Sequence, residues 1–478
     1  MLNAEVCVIG AGPAGSTIAA ELAKAGREVI LLEAHRLPRP RVGESLAPTI
    51  LPLLEFLGIK EAVVASQFLR PQATIVRWGA RSQTREVEGD IPGFQVDRGE
   101  FDSILVEMSR RNGVCFRQST RALTATRDEN GRWRIRAAAD GVLETINCDF
   151  VVDAAGRSSF LRRQRLSLTC PTMAIYGYWR DAQLSGDETR IEAGPEQWYW
   201  GAPLPSGCFN ATVFVDLCRI RAADNPVTLY RALLYESELL RDCLRGILTA
   251  DPRVCCATPS VASEVVGEGW IKCGEAAFTI DPLSSQGVQS AISNAIQAAA
   301  VVHSLLGCPG GSTVLARQFY RERVQAAAFR NAMFASSMYR EPAENFQTSF
   351  WWSRAQVHAP TISTSVARLP SSEDVLMWST DAAVLQTPVI DGFCVRLGTA
   401  VVPPGAKPVA FVGTVPIVDL LEILRFPRIA KSLLSILRSR YGCQVGNEVY
   451  RWLIESGVVR QKSAVSQNTQ EQKKVNID

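Results

Sequence analysis

The chain has 478 residues, of which 47% are hydrophobic and 21% charged, with a formal net charge of +3. It is long enough for two or three domains, and its spread-out, balanced charges give no reason to invoke nucleic acid. No apolar stretch reaches membrane-spanning length, and a first strand close to Met1 leaves no room for a signal peptide; a cytoplasmic protein without membrane contact is expected.

Val6 to Ile9 reads as a buried strand that breaks into Gly10-Ala11-Gly12-Pro13-Ala14-Gly15, and a small-residue helix follows through Lys24. Gly26 stops that helix, and a second strand over 28–32 runs into Glu33 and Ala34. Strand, glycine turn, helix, strand and terminal acid together form the dinucleotide-binding fingerprint. Gly10 allows the tight turn, Gly12 lets the backbone approach a pyrophosphate, and Gly15 lets the helix pack on the strand. The helix N-terminus offers free N–H groups to the phosphates. Glu33 is placed to accept hydrogen bonds from a ribose.

Prolines keep 37–41 extended, and the basic loop ending in Arg41-Val42-Gly43-Glu44-Ser45 either holds phosphate or ribose or is simply solvated. A helix carrying Leu51, Leu54 and Leu57 follows, and residues 73–89 alternate like sheet strands. Gln95-Val96-Asp97-Arg98 leads into an amphipathic helix over 101–111, and Asp128-Glu129-Asn130-Gly131 reads as a hairpin turn. The apolar strand at 150–153 ends in Asp153-Ala154-Ala155-Gly156-Arg157-Ser158. Residues 170–265, rich in Trp, Tyr, Thr and Val, read as an antiparallel sheet inserted in the first domain, where a substrate would sit.

A last core strand at 270–273 precedes Gly274-Glu275-Ala276-Ala277. Asp281-Pro282-Leu283-Ser284-Ser285-Gln286-Gly287-Val288 then opens a long helix over 290–306, a second place where N–H groups can face a cofactor. Residues 310–345 look helical, 346–408 carry aromatics with little periodicity, and 412–460 switch to helices, as a cap, a winged-helix module or a plain bundle. The helix before Gly457 lacks the basic face of a DNA reader. The expected architecture is α/β: a Rossmann-like domain from 1–170 and 266–345, an inserted β-sheet domain at 171–265, a mostly helical C-terminal extension at 346–460, and a disordered tail at 461–478. The 13 cysteines include no CxxC and stand apart from His35, His303 and His358; free thiols and no metal site are expected.

Taken in order, GAGPAG, RVGES, QVDR, VVDAAGRSS and GEAA followed by DPLSSQG resemble the flavoprotein monooxygenase superfamily with the glutathione-reductase-type FAD fold, over about residues 4 to 305. The resemblance implies bound FAD. Gly10, Gly12, Pro13, Ala14 and Gly15 would meet its ADP part, Glu33 and Ala34 its adenosine ribose, with Arg41, Glu44, Ser45 and Arg98 nearby. Asp153 and Gly156 belong to a turn shared with the entry of reduced nicotinamide. Gly274 and Glu275 would lie on the ribityl-pyrophosphate side; Glu275 stands where the family carries Asp. Pro282, Ser285, Gln286, Gly287 and Val288 would lie beside the isoalloxazine ring.

Within that superfamily, Trp198-Tyr199-Trp200-Gly201-Ala202-Pro203 resembles the tryptophan motif of flavin-dependent halogenases, with Ala202 in place of Ile. Halogenases also carry a lysine ahead of the strand that ends in Trp78-Gly79. That position falls near Arg70, and no lysine occurs from residue 61 to 271. A guanidinium stays protonated and is a poor nucleophile toward hypohalous acid. The resemblance is thus closest to lysine-lacking halogenase-like hydroxylases, such as the flavoprotein modifying enzymes that mature tryptophan-derived quinone cofactors. It implies an FAD-dependent monooxygenase acting on an indole or phenol, free or borne on a peptide or protein. Electrons would come from NAD(P)H or a separate flavin reductase. Trp198, Trp200, Arg70 and Asp281 are the candidate catalytic residues. The tryptophans either dry the substrate side or are plain sheet core; Arg70 either holds an anion or is a surface arginine; Asp281, like Glu44, is a candidate base. The alternatives are a halogenase with another delivery group, a flavin-dependent reductase or dehydrogenase, and a non-enzymatic flavin-binding scaffold.

Overall fold

The computed structural model describes residues 2–79, 81–86, 93–161, 164–184, 186–309, 311–356 and 370–461, with the backbone alone for 81–86. The expected disordered tail lies outside them. Two compact units divide the chain: residues 1–359 with 392–394, and residues 360–391 with 395–478.

In the first unit, β1 (Leu2–Ile9) is completely buried at Val6, Cys7 and Val8, and the glycine turn delivers the chain into α1 (Pro13–Lys24). β1 lies between β2 (Val29–Leu32) and β3 (Val142–Asp153), parallel to both, with Cys115–Arg117 beyond β2 and Trp270–Lys272 beyond β3, also parallel. Parallel strands end on one edge, so Ile9, Leu32 and Asp153 bring three polar turns together. Such carboxyl ends are where open α/β sheets bind ligands. α2 (Gly287–Leu305) packs along α1, so both helices start at that same edge.

The inserted sheet is larger than the 171–265 reading. Its order runs from Ile247–Leu248 through β4 (Thr172–Arg180), β6 (Phe209–Asp216), β5 (Gln197–Pro203) and Thr189–Ala193 to Ala73–Trp78 and Arg81–Glu86. Ala73–Trp78 comes from the first domain and pairs parallel with Thr189–Ala193. β7 (Arg253–Cys256) adds to the outer side of β4. Successive side chains in a strand face opposite ways. Ile175, Tyr199, Ala211 and Val213 therefore enter one hydrophobic core, and their neighbours Ala174, Trp198, Trp200, Thr212 and Phe214 face the other side. α3 (Thr313–Phe346) and Ser349–Trp352 complete this unit, with Tyr339, Phe350 and Trp351 packed around Trp78 and Trp198.

The second unit mixes helices and strands, where a mostly helical extension was expected. Ile417–Ile423, Ala430–Tyr441 and Cys443–Glu455 are helices, but Val375–Trp378, Arg428–Ile429 and Val459–Gln461 form a three-stranded sheet, and Ala383–Asp391 pairs with Cys394–Val402. Leu376, Val415, Leu433, Leu437, Val449 and Leu453 form its own core. Cys308 is bonded to Cys394, so not every cysteine is a free thiol as expected. Among the described residues, His303, Cys308 and Cys394 form the single cluster with metal-ligand atoms within 4.8 Å, and two of its three ligand atoms are that disulfide's sulfurs. Also among the described residues, no helix is long and apolar enough to cross a membrane.

Candidate active site

A cleft of about 1600 Å³ runs along the carboxyl edge of the parallel sheet and continues over the inserted sheet. Gly10, Gly12, Pro13, Ala14, Glu33, Ala34, Arg41, Ser45, Gly156, Glu275, Pro282, Ser285, Gly287 and Val288 all line it. The glycines of the first turn divide the work. Gly10 has φ +102, and a Cβ there would lie 2.5 Å from the Ala154 carbonyl oxygen. At Gly15 a Cβ would lie 1.7 Å from the Gly10 oxygen, so Gly15 serves packing and does not line the cleft. At Gly12 and Gly287 a Cβ would meet nothing within 4 Å: each faces open space at the start of a helix. Free N–H groups of two helices thus face one cleft, a setting made for phosphate and for a ligand long enough to reach both.

Glu33 is only 3% exposed and already engaged: it accepts from the Ala11 N–H (3.1 Å), the His35 N–H (3.0 Å) and Arg39 (2.7 Å). It ties the end of β2 to the glycine turn. Arg39, which sequence reasoning passed over for Arg41, is the buried cation of the pair; the signal available was an acid at a strand end followed by a basic loop. Arg98, buried and paired with Asp102, donates to the Val42 (3.0 Å) and Gly43 (3.2 Å) carbonyls and so props the loop that carries Glu44. Glu44 joins the cofactor side to the inserted sheet. It accepts from Tyr178 Oη at 2.7 Å, from the Gly43 N–H at 2.7 Å, and from Asn210 at 3.3 Å to each oxygen. Burial pushes its carboxyl up, and the bonds from Tyr178 and Gly43 oppose that rise.

The inserted sheet contributes two cross-strand rows. Cys255, Ala174, Phe214 and Trp198 stand opposite one another in register, and so do Arg253, Tyr176, Thr212 and Trp200. All eight line the cleft. Trp198 stacks on Phe214 with centroids 3.7 Å apart; it lines the cleft and is also nearly fully buried core. Tyr199 faces away; its hydroxyl donates to the Leu233 carbonyl at 3.0 Å. Tyr176, Thr212, Phe214 and Arg253 were missed, although the period-two pattern of 172–180 was there to place Tyr176.

Other candidates act at one remove or elsewhere. Asp153 does not reach the cleft: its carboxylate accepts from the Ala155 and Leu161 N–H groups and from Ser159 Oγ (2.6 Å), which fixes the turn whose residues 154–158 do line it. Asp281 is likewise turned inward, capping Leu283 (3.0 Å) and accepting from Tyr339 Oη (2.8 Å), and its side chain does not line the cleft. Gln286 does not line the cleft. Gly274 lines a small adjoining cavity, where a Cβ would lie 2.5 Å from Ala14 Cβ. Arg70 lies outside, with its guanidinium 5.2 Å from the Phe94 ring centroid. No lysine lines the cleft among the described residues; Lys272 is completely buried elsewhere.

These residues fit FAD: two open glycine positions at helix starts, a dinucleotide turn, and a second compartment walled by aromatics. Residues 3–208 match the family model described as FAD binding domain. The chain is 30% identical over 379 residues to a tryptophan 2-halogenase of Chondromyces crocatus, a match covering 74% of this chain and 71% of the relative. Among solved structures, the flavin-dependent halogenase CmlS superposes with a TM-score of 0.74 at 20% identity, over 97% of each chain. The peptidyl tryptophan dihydroxylase QhpG, essential for tryptophylquinone cofactor biogenesis, superposes with a TM-score of 0.72 at 25% identity, over 95% of this chain and 99% of that one.

Proposed function

The chain belongs to the flavin-dependent halogenase and monooxygenase superfamily and is an FAD-dependent enzyme of the oxidoreductase type; we propose that it is a monooxygenase that hydroxylates an aromatic ring, an indole foremost. The observation that carries this reading is a cleft with an aromatic wall and no lysine among its described lining residues. Delivery of hypohalous acid needs a nucleophilic amine, and the arginines present cannot serve as one. Reduced FAD, when bound, supplies the activation of molecular oxygen. The chain's own residues do the rest. The turn at 10–14 and the start of α2 hold the cofactor, and Trp198, Trp200 and Phe214 hold a ring and exclude water. Glu44, with both oxygens engaged, is a positioning residue that fixes the 41–45 loop against Tyr178 and Asn210. Electrons come from NAD(P)H directly or through a separate reductase.

An indole is favoured because two relatives of different activity, a tryptophan halogenase and a peptidyl tryptophan dihydroxylase, both act on that ring by name. QhpG also matches this chain nearly end to end, which supports a substrate borne on a peptide or protein. Halogenation is the second reading, favoured by the 30% identity to the tryptophan halogenase. One reaction separates them: enzyme, FAD, a reductant, bromide and isotopically labelled oxygen, with indole-bearing substrates analysed by mass spectrometry. Labelled oxygen in the product is expected. A brominated product would overturn the proposal.

A further inference from the structure

The wall of the cleft has a charged end. We infer that the substrate carries an anionic arm, with its ring against Trp198, Trp200 and Phe214 and the anion at Arg253. This rests on the proposed reading of that sheet face as the substrate side. Along one row, Trp200 stands opposite Thr212, Thr212 opposite Tyr176, and Tyr176 opposite Arg253. Residues directly opposite on paired strands point to the same face. Three strand spacings put the backbones of Trp200 and Arg253 about 14 Å apart, and the long arginine stem shortens that span. An aryl group with an arm of a few bonds fits between them.

Charge bookkeeping singles out Arg253 on this face. Elsewhere in the cleft Arg39 is paired with Glu33, Arg98 with Asp102 and Arg157 with Glu275, while Arg41, in the loop after β2, and Arg121, on the strand Thr120–Arg127, line the end away from the inserted sheet. Among the described residues Arg253 has no carboxylate partner, and Glu44 is already held by Tyr178, Asn210 and Gly43. Beside Arg253 lies the buried Tyr176 hydroxyl, raised by burial and drawn back by that guanidinium. A guanidinium at the polar end of an apolar wall recognises carboxylate or phosphate through charge-assisted, bidentate hydrogen bonds. The anion has two sources, the carboxylate of the aromatic amino acid itself or an acidic group on a neighbouring residue of a peptide.

FAD-loaded protein titrated with N-acetyltryptophan and with N-acetyltryptophanamide, followed by the absorbance of the bound flavin, tests this. The acid is expected to bind at least about tenfold more tightly than the amide, as a charge-assisted bond implies. Arg253→Gln, checked for retained flavin, should bring acid and amide to within about twofold, and Arg253→Lys should keep part of the gap. An acetyl-tryptophyl-glutamate amide carries the charge on the neighbour; whichever anionic probe loses more affinity in R253Q identifies the source. Equal binding of acid and amide by the parent, or no loss for either anionic probe in R253Q, would overturn the inference. If acid preference and its loss hold while labelled oxygen never enters a product, the hydroxylase reading fails and this one stands.

Discussion

Asp281 shows how far a residue can be from the role its position suggests. It opens the segment that would lie beside the isoalloxazine ring, yet its side chain is enclosed and bonded to Leu283 N–H and Tyr339 Oη. Burial lifts its carboxyl above the ordinary range, and those bonds oppose the rise. A carboxyl raised in the fold contributes stability that is fully present below its unfolded pKa, about 3.9, and is lost as the pH rises through the folded value. Asp281→Asn keeps a neutral group there. Its melting temperature should therefore decline less than the parent's between about pH 4 and about pH 8; parallel curves would refute a raised Asp281. Tyr339→Phe removes the hydroxyl that Asp281 accepts from, and a urea melt should show a loss of about 1–3 kcal/mol. No loss would mean that the bond contributes nothing net.

Elements whose logic is local were legible. The strand, glycine turn and helix at 6–24 need only neighbours in sequence, and so does the Asp-Pro turn ahead of α2. Pairings between distant segments were not legible. Residues 73–78 alternate like a strand, but nothing in them says that they extend the inserted sheet beside Thr189–Ala193. The hairpin of Ala383–Asp391 and Cys394–Val402 escaped notice because its outer face mixes exposed apolar and polar residues and blurs the alternation. The site divided along the same line. The fingerprint glycines line the cleft as chain-local reasoning places them, whereas Arg253 reaches it only because β7 pairs with β4. Arg70, chosen by its spacing from Trp78, lies elsewhere because the chain before Ala73 belongs to a different layer, against Phe94.

At the scale of the whole molecule, two helix starts 274 residues apart in sequence, α1 at Pro13 and α2 at Gly287, face one cleft. Gly12 and Gly287 each leave open space at the position of a Cβ, and neither has a positive φ, so alanine fits the bare protein at both. Calorimetric titration of flavin-stripped protein with FAD, run on the parent, Gly12→Ala and Gly287→Ala, is the most direct test. One FAD should bind per parent chain, and each variant should bind at least about tenfold more weakly at an unchanged melting temperature of the stripped protein, because each added methyl displaces cofactor. A variant that takes up FAD as the parent does would contradict the account.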